Sequence, residues 1–172
     1  MKIIKASLAD LSIVLNIARD TFFETFREHN SDSDMAQYAD LNLTEEKIES
    51  ELLNINSEFY LAVEEDEVLG YLKVNSGSEQ TELQDRHALE IERIYVKKEY
   101  QGKRVGQELY AKALEVARLK GLSYIWLGVW EQNQRAIRFY EKNGFVAFDR
   151  HIFELGSDEQ VDVMMKKQLL FD

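Results

Sequence analysis

The 172 residues are 45% hydrophobic and 31% charged, which is typical of a globular protein and, at this length, of a single domain spanning residues 1–172. The absence of cysteine excludes disulfides, thiolate catalysis and cysteine-ligated zinc. The 32 acidic and 21 basic residues give a net charge of −11, which repels nucleic acid and attracts cations. This charge indicates either a solvated acidic surface or an acidic groove for a cationic substrate.

The first half of the chain is predicted to begin with a strand and continue with helices. The strand covers Lys2 to Ala6, and Ser7 is typical of a helix N-cap. Apolar residues spaced three and four apart predict a helix from Ser7 to about Phe26. After a polar break at residues 30–34, a second helical region is predicted from Met35 to about Asn54, with an interruption near residues 42–44.

The rest of the chain alternates predicted strands and helices. The strands are Phe59–Val63 and Val68–Val74, joined as a hairpin, then His87–Val96, Leu122–Trp130, and a closing hairpin of Phe145–Leu155 with Gln160–Lys167. The helices are Val105–Lys120, which ends at Gly121, and Asn133–Lys142. This order predicts an α/β fold with a mixed sheet and helices on both faces.

The N-terminus shows no signal peptide, and no apolar run approaches the ~20 residues that span a bilayer. We therefore expect a cytoplasmic protein with no membrane partner and no nucleic-acid partner. His29, His87 and His151 are scattered without metal-ligand spacing, so we expect no metal.

One group of candidate functional residues lies in the predicted turn from strand to helix, at residues 96–106. Backbone N–H groups at the start of a helix have no partner within it, and they lie at the positive end of the helix dipole. Such groups can bind a phosphate, Gly102 and Gly106 would permit close approach, and Lys103 and Arg104 add positive charge. An ordinary tight turn with basic surface residues would share this pattern, which is neither a Walker A loop nor a G-x-G-x-x-G turn.

A second group runs from Asn133 to Phe145. Together the two groups resemble the GNAT superfamily of N-acetyltransferases: the loop is similar to its Q/R-x-x-G-x-G/A motif, and the second group to its N-x-x-A-x-x-F-Y-x-x-x-G-F signature. Residues 89–95 and 125–131 and the tail from Phe153 to Lys167 resemble the PaiA group of polyamine acetyltransferases. One departure is Arg104, which stands at the middle glycine of the loop. Binding is expected to survive, because backbone donation requires glycine only where φ must be positive.

The resemblance implies a GNAT-like fold, with a central, mostly antiparallel sheet of about seven strands, and acetyl-CoA as the cosubstrate. It implies that the pantetheine arm pairs with backbone groups of Ile94, Tyr95 and Val96, and that two strands splay apart at Val96 and residues 127–129. The implied cofactor-binding residues are Ile94, Tyr95, Val96, Gln101, Gly102, Lys103, Arg104, Val105, Gly106, Gln107, Asn133, Tyr140 and Lys142. It also implies that Tyr140 protonates the departing thiolate, and members of this superfamily are often homodimers.

An alkyl amine has a pKa near ~10, so the enzyme must remove a proton before the nitrogen can attack a thioester. Glu90 and Glu92 are two apart on a predicted strand and should face the same way. Either is a candidate base, directly or through water, although both residues would also suit a solvated sheet edge. The resemblance does not separate the two, since it implies only a glutamate on this strand.

The leading prediction is N-acetylation of a polyamine such as spermidine or spermine by direct attack in a ternary complex. The acceptor should lie over the first helices, where carboxylates and aromatic rings would suit a polycation through ion pairs and cation–π contacts. The candidate lining residues are Glu24, Glu28, Tyr38 and Trp130. Alternatives are a protein N-terminus, a lysine or another small amine as acceptor, or a non-catalytic acyl-CoA-binding regulatory module.

Overall fold

The computed structural model describes residues 1–170. Its strands are β1 (Lys2–Lys5), β2 (Ser57–Glu64), β3 (Glu67–Asn75), β4 (Ala88–Val96), β5 (Tyr124–Trp130), β6 (Val146–Leu155) and β7 (Asp158–Gln168). Its α-helices are α1 (Leu11–Phe26), α2 (Asp32–Asn42), α3 (Glu45–Leu53), α4 (Val105–Leu119) and α5 (Gln134–Lys142). The strands form one seven-stranded sheet in the order β1-β2-β3-β4-β5-β7-β6, in which only β4 and β5 are parallel neighbours. The predicted mixed, mostly antiparallel sheet is confirmed.

The helix starts in the first half differ from prediction by a few residues, for local reasons. The Ser7 backbone N–H and hydroxyl both donate to Asp10, and residues Leu8–Asp10 form a 3₁₀ turn, so α1 begins at Leu11. Ser31 caps α2 by accepting a hydrogen bond from the Asp34 N–H at 3.1 Å, so this helix starts inside the predicted polar break. Thr44 caps α3 in the same way, which explains the predicted interruption.

Each face of the sheet is covered by helices that bury an apolar stripe. On one face α4 buries Leu109 and Ala113, and α5 packs beside it. On the other face α1 buries Val14 and Ile17 against β2 and β3. Burying a side chain the size of leucine stabilises a fold by about 1.5–3 kcal/mol, so the two cores hold the helices on opposite faces. Within residues 1–170 no helix is long and apolar enough to cross a membrane.

The sheet opens between its two parallel strands. The β4–β5 pairing covers only the stretch from Ala88 opposite Tyr124 to Ile91 opposite Leu127. Beyond it, β4 continues to pair with β3 and β5 continues to pair with β7. The facing edges of β4 and β5 therefore diverge, and their backbone groups lack a ladder partner there. We call this gap the splay.

A β-bulge lies on β4 at the start of the splay. Lys73 pairs with Arg93 and Val74 pairs with Ile91, so Glu92 has no residue opposite it on β3. A bulge bends its strand and re-aims the side chains around it. It contributes to the turning of β4 away from β5.

Candidate active site

The splay opens into a cleft of about 610 Å³ that both faces of the sheet line. The β4–α4 turn and α5 form one half, which we call the cofactor half. The other half, which we call the acceptor half, is formed by residues of α1, α2, β5, β6 and β7, by Glu82 in the loop before β4, and by Glu90, Glu92 and Arg93 of β4. One continuous cleft therefore joins the two faces through the sheet.

In the cofactor half, the turn before α4 has the backbone of an anion-binding loop. Gly102 has a φ of +82°, and α4 begins at Val105, so its first-turn N–H groups lack helical partners. A Cβ on Gly106 would contact only Val96 Cγ2, at 3.8 Å, outside its own helix. Gly106 therefore leaves open space beside these donors, and the loop fits the phosphates and the arm of acetyl-CoA.

Arg104 adopts the left-handed conformation, with a φ of +66°. The loop motif that this turn resembles has glycine at this position. An arginine with the same left-handed backbone costs about 1 kcal/mol or more of folding free energy. The loop is held by side chains instead, since Arg135 Nη1 donates to Gln101 Oε1 at 2.8 Å. Gln101 Nε2 in turn donates to the Val96 carbonyl at 3.2 Å.

Most of the predicted cofactor residues line the cleft: Ile94, Tyr95, Val96, Gln101, Gly102, Arg104, Val105, Gly106, Gln107, Asn133 and Tyr140. Lys103 and Lys142 do not. The Lys103 ammonium lies 5.0 Å from the centre of the Tyr100 ring, and Lys142 is exposed at the end of α5. The Asn133 side-chain oxygen caps α5 by accepting a hydrogen bond from the Ala136 N–H at 3.2 Å. This oxygen therefore stabilises the start of the helix.

Tyr140 is buried on α5 beside the cleft, 6% exposed, against the rings of Phe139 and Phe145. Burial raises the pKa of its hydroxyl well above the ordinary value. Within residues 1–170 the hydroxyl makes no hydrogen bond to another protein group. Tyr140 therefore stays protonated at neutral pH and has a proton to donate to a ligand in the cleft.

Glu90 and Glu92 lie on the same side of β4, as their spacing predicted, and both line the cleft. Asn75 Nδ2 donates to both, at 3.0 Å and 2.9 Å. Glu90 also accepts from the Thr81 N–H at 2.9 Å and from the Thr81 hydroxyl. Burial raises the pKa of Glu90, and the hydrogen bonds from Thr81 and Asn75 oppose that shift.

Glu92 belongs to a buried network of charges. Lys73, 4% exposed, bridges Glu92 and Glu51, and Arg93 binds Glu51 through two hydrogen bonds of 3.0 and 3.1 Å. Burial alone would raise the pKa of Glu92, but the charges of Arg93 and Lys73 lower it to about 2. Such a carboxylate holds a proton poorly at neutral pH, which disfavours Glu92 as the base.

Of the four predicted acceptor residues, Tyr38 and Trp130 line the cleft and Glu24 and Glu28 do not. The Glu24 carboxylate accepts a hydrogen bond from the Lys98 N–H at 2.9 Å, and Glu28 lies 3.8 Å from the Lys98 ammonium. Both glutamates attach α1 and the turn after it to the segment that follows β4. The composition of α1 suggested their role, but the rotation of the helix turns them away from the cleft.

The acceptor half also contains residues that were not predicted from the sequence as site residues: Glu82, Trp126, His151 and Asp162 all line the cleft. Asp162 lies opposite Trp130 across the β5–β7 ladder and opposite His151 across the β6–β7 ladder. Burial raises its pKa to about 6. The sequence does set Asp162 apart, because it lies between two valines in a predicted strand and aspartate is rare in strands.

Comparisons with known proteins agree with this geometry. The model of the acetyltransferase (GNAT) family matches residues 13–145. Over 170 residues, 99% of this chain and 98% of the relative, the chain is 40% identical to a protein of Lactobacillus delbrueckii subsp. lactis described as an uncharacterized N-acetyltransferase in the pepI 3' region. It is 26% identical over 153 residues, 87% of this chain and 90% of the relative, to the spermidine N(1)-acetyltransferase of Thermoplasma acidophilum.

Among solved structures, the fold matches the PaiA N-acetyltransferase from Thermoplasma acidophilum in complex with coenzyme A, with a TM-score of 0.80 and 24% identity over 98% of each chain. The family match covers most of the chain, and the loop and cleft fit the cosubstrate. The chain therefore belongs to the acetyltransferase (GNAT) family and is an N-acetyltransferase that uses acetyl-CoA.

Proposed function

We propose that the protein acetylates a primary amine of a polyamine, such as spermidine or spermine, by direct attack on acetyl-CoA. The observation that carries this proposal is the division of charge along the cleft. Among residues 1–170, the acceptor half carries the carboxylates Glu82, Glu90, Glu92 and Asp162 against one guanidinium, that of Arg93, whereas the lining residues of the cofactor half include Arg104 and Arg135 and no carboxylate. A polycation is attracted to the first half and the phosphates of the cosubstrate to the second.

Aromatic rings add to the affinity expected for a polycation. Trp126 and Trp130 line the acceptor half beside Tyr38. Their ring faces attract ammonium groups, and the contact is worth about 0.5–2 kcal/mol. The spermidine acetyltransferase relative supports the same substrate class.

Direct attack is supported by the continuity of the cleft, which lets both substrates meet at the splay. The 172 residues contain no cysteine, so an acyl-thiol intermediate on the protein is excluded. On the cofactor side, Tyr140 donates a hydrogen bond to the sulfur as it departs. Because its pKa is raised above that of a thiol, near ~8.5, this hydrogen bond stabilises the developing thiolate more than it transfers the proton.

The test is release of coenzyme A from acetyl-CoA across a panel of amines. The panel holds spermidine, spermine and putrescine, with lysine peptides, aminoglycosides and butylamine, which has one cationic end. We expect kcat/KM for spermidine or spermine at least about tenfold above that for butylamine, because the second charge binds the acceptor half. Turnover with a lysine peptide or an aminoglycoside alone would discard the polyamine and keep the enzyme. No turnover with any amine, despite tight acetyl-CoA binding, would favour a regulatory module.

The single-domain organisation, the cytoplasmic location and the homodimer stay predictions from the sequence. Light scattering on the purified protein measures the oligomeric state directly. A mass near twice the 20.1 kDa of the chain is expected for the dimer.

A further inference from the structure

We propose that Asp162 is the catalytic base of this enzyme and takes a proton from the acceptor amine, with His151 as its cross-strand neighbour on β6. This inference rests on the proposed function, since it assigns the base for transfer to an amine. It replaces Glu90 and Glu92, the two candidates from the sequence.

Asp162 lies at the point where the sheet opens. Pairing between β4 and β5 ends at Leu127, so Gly128 is the first residue of β5 within the splay. Asp162 leans over this glycine: a Cβ on Gly128 would lie 3.1 Å from Asp162 Oδ2. Because Gly128 has no side chain, the carboxylate sits directly above the backbone of β5 at the point where the sheet opens.

Asp162 and Tyr140 lie on opposite sides of the sheet. Asp162 faces the side of the sheet that carries Trp130 and the helices α1 to α3, because it lies directly opposite Trp130. Tyr140 belongs to the core on the other side, with α4 and α5. A nitrogen that approaches from the acceptor half would thus meet Asp162, while a sulfur that leaves into the cofactor half would meet Tyr140.

The Asp162 carboxylate is free to bind a ligand. Within residues 1–170 it forms no ion pair, and no hydrogen bond to its oxygens is present. Glu90 already accepts three hydrogen bonds, and Glu92 is held as an anion between Lys73 and Arg93. Of the three carboxylates, Asp162 alone has both oxygens available to an ammonium.

The groups around Asp162 suit a base that works near neutral pH. His151 faces it from β6, Glu82 from the loop before β4, Tyr95 from β4 and Tyr38 from α2. Burial raises the pKa of Asp162 to about 6, His151 lowers it and Glu82 raises it further. A base with this pKa is ionised at neutral pH yet far stronger than an exposed aspartate.

His151 itself carries an unused polar atom. Its Nε2 lies 3.4 Å from Glu82 Oε1, and its Nδ1 is buried without a hydrogen-bond partner in the described chain. Buried polar atoms normally have partners, so an orphaned one beside a cleft points to a missing ligand or water. The Nδ1 atom is therefore available to a bound amine or to water that receives the proton from Asp162.

The proposed reaction transfers one acetyl group and two protons. The ammonium gives one proton to the Asp162 carboxylate, and the neutral nitrogen attacks the thioester carbonyl carbon. The N–C bond forms, the C–S bond breaks, and the second nitrogen proton passes to the departing sulfur, so coenzyme A leaves as a thiol. Asp162 then releases its proton to water, so the net products are the amide, the thiol and one proton.

The experiment compares Asp162→Asn with the wild type, using the best amine of the panel, from about pH 5 to pH 10. Asp149→Asn is the matched control, because Asp149 is an exposed aspartate of β6 outside the cleft. Acetyl-CoA affinity, measured by calorimetry, and the thermal unfolding midpoint are recorded for each variant.

We expect Asp162→Asn to lower kcat about 10²-fold or more at pH 7, with acetyl-CoA affinity unchanged. The wild type should lose kcat/KM below about pH 6, because Asp162 must be ionised to accept a proton. The variant should lack this limb and recover as the pH approaches ~10, where the amine is already neutral. Asp162→Glu should restore part of kcat, and His151→Gln should move the acid limb to higher pH, because His151 lowers the pKa of Asp162.

A change in KM alone, or a loss of kcat that is equal at every pH, would overturn the inference and leave Asp162 as a binding residue. A wild type that acetylates an amine while Asp162→Asn matches it would also overturn it, and leave the proposed function standing. A wild type that turns over no amine would overturn both.

Discussion

The two halves of the cleft differ in how they are built. The cofactor half is local: the turn before α4 presents backbone N–H groups, and its key glycines lie within a few residues of each other. The acceptor half is assembled from distant parts of the chain, since Asp162, Trp130 and Tyr38 meet only through strand pairing and helix packing. We therefore expect cofactor binding to depend on the shape of one loop, and the proposed acceptor binding and proton removal to depend on the whole fold.

The largest expected effect is a loss of stability when one of the buried charges beside the acceptor half is removed. Lys73→Met would leave the two buried carboxylates of Glu51 and Glu92 with Arg93 as their one remaining cationic partner among residues 1–170, so one buried negative charge would be uncompensated. Breaking a buried ion pair from one side costs about 3–5 kcal/mol, so the free energy of unfolding should fall by that amount in urea titration. Lys2→Met, on the edge strand β1 where Lys2 is exposed, is the matched control and should change it by less than about 0.5 kcal/mol. A fall of under 1 kcal/mol for Lys73→Met would mean that the network does not hold this half together.

The same network predicts acid lability. The pKa of Glu92 is about 2 in the folded protein and near 4.5 ordinarily, so the unfolded chain binds its proton first as the pH falls. The stability from Glu92 is thus present above about pH 4.5 and lost as the pH falls toward 2. Between pH 7 and pH 3 this group alone should cost about 2 kcal/mol.

Glu92→Gln tests the acid prediction, because the substitution removes the titrating group. Urea unfolding at several pH values should show a flatter decline for this variant than for the wild type. Parallel declines would assign the acid lability to other carboxylates, such as Glu58, whose pKa is also about 2.

Tyr140→Phe tests whether the Tyr140 hydroxyl assists the departing sulfur. The hydroxyl has no protein hydrogen bond to lose among residues 1–170, so folding and acetyl-CoA affinity should be unchanged. The loss of the donor to the departing sulfur should lower kcat about 10²-fold. The control is Tyr124→Phe, a hydroxyl bonded to Asp85 outside the cleft, which should keep kcat. Unaltered kcat in Tyr140→Phe would make Tyr140 a packing residue.

Gly106→Ala tests cofactor binding without changing the acceptor half. The added methyl meets no backbone atom and only one side-chain contact at 3.8 Å, so the thermal midpoint should hold. The methyl would project toward the space left for the cosubstrate, and we expect the Kd for acetyl-CoA to rise about tenfold, or ~1.4 kcal/mol. An unchanged Kd measured by calorimetry would move the cofactor away from this loop.

Arg104→Gly gives the smallest effect. Relief of the left-handed backbone, less the greater entropy of a glycine in the unfolded chain, should raise stability by about 0.5 kcal/mol. Gly102→Ala, at a φ of +82°, is the reverse substitution and should lower it by about 1 kcal/mol. Opposite signs in denaturant unfolding support the backbone account, and equal signs contradict it.

The division between the halves also explains what the sequence could predict. The loop at residues 101–107 was recognisable because its glycines act through their own backbone, within one turn. The left-handed φ of Arg104 was not, because nothing in an arginine indicates it. Asp162 was missed because its neighbours His151 and Trp130 are set by strand register, and Glu24 was misplaced because the rotation of α1 is fixed by tertiary packing. The element order needed only local periodicity.

The most direct test of the account is an initial-rate matrix in which acetyl-CoA and spermidine are varied together. We propose that the two substrates enter one continuous cleft from opposite faces of the sheet, and the double-reciprocal lines should then intersect, as expected for a ternary complex. Parallel lines would reveal an acetylated enzyme formed before the amine binds, and would contradict direct attack across the splay.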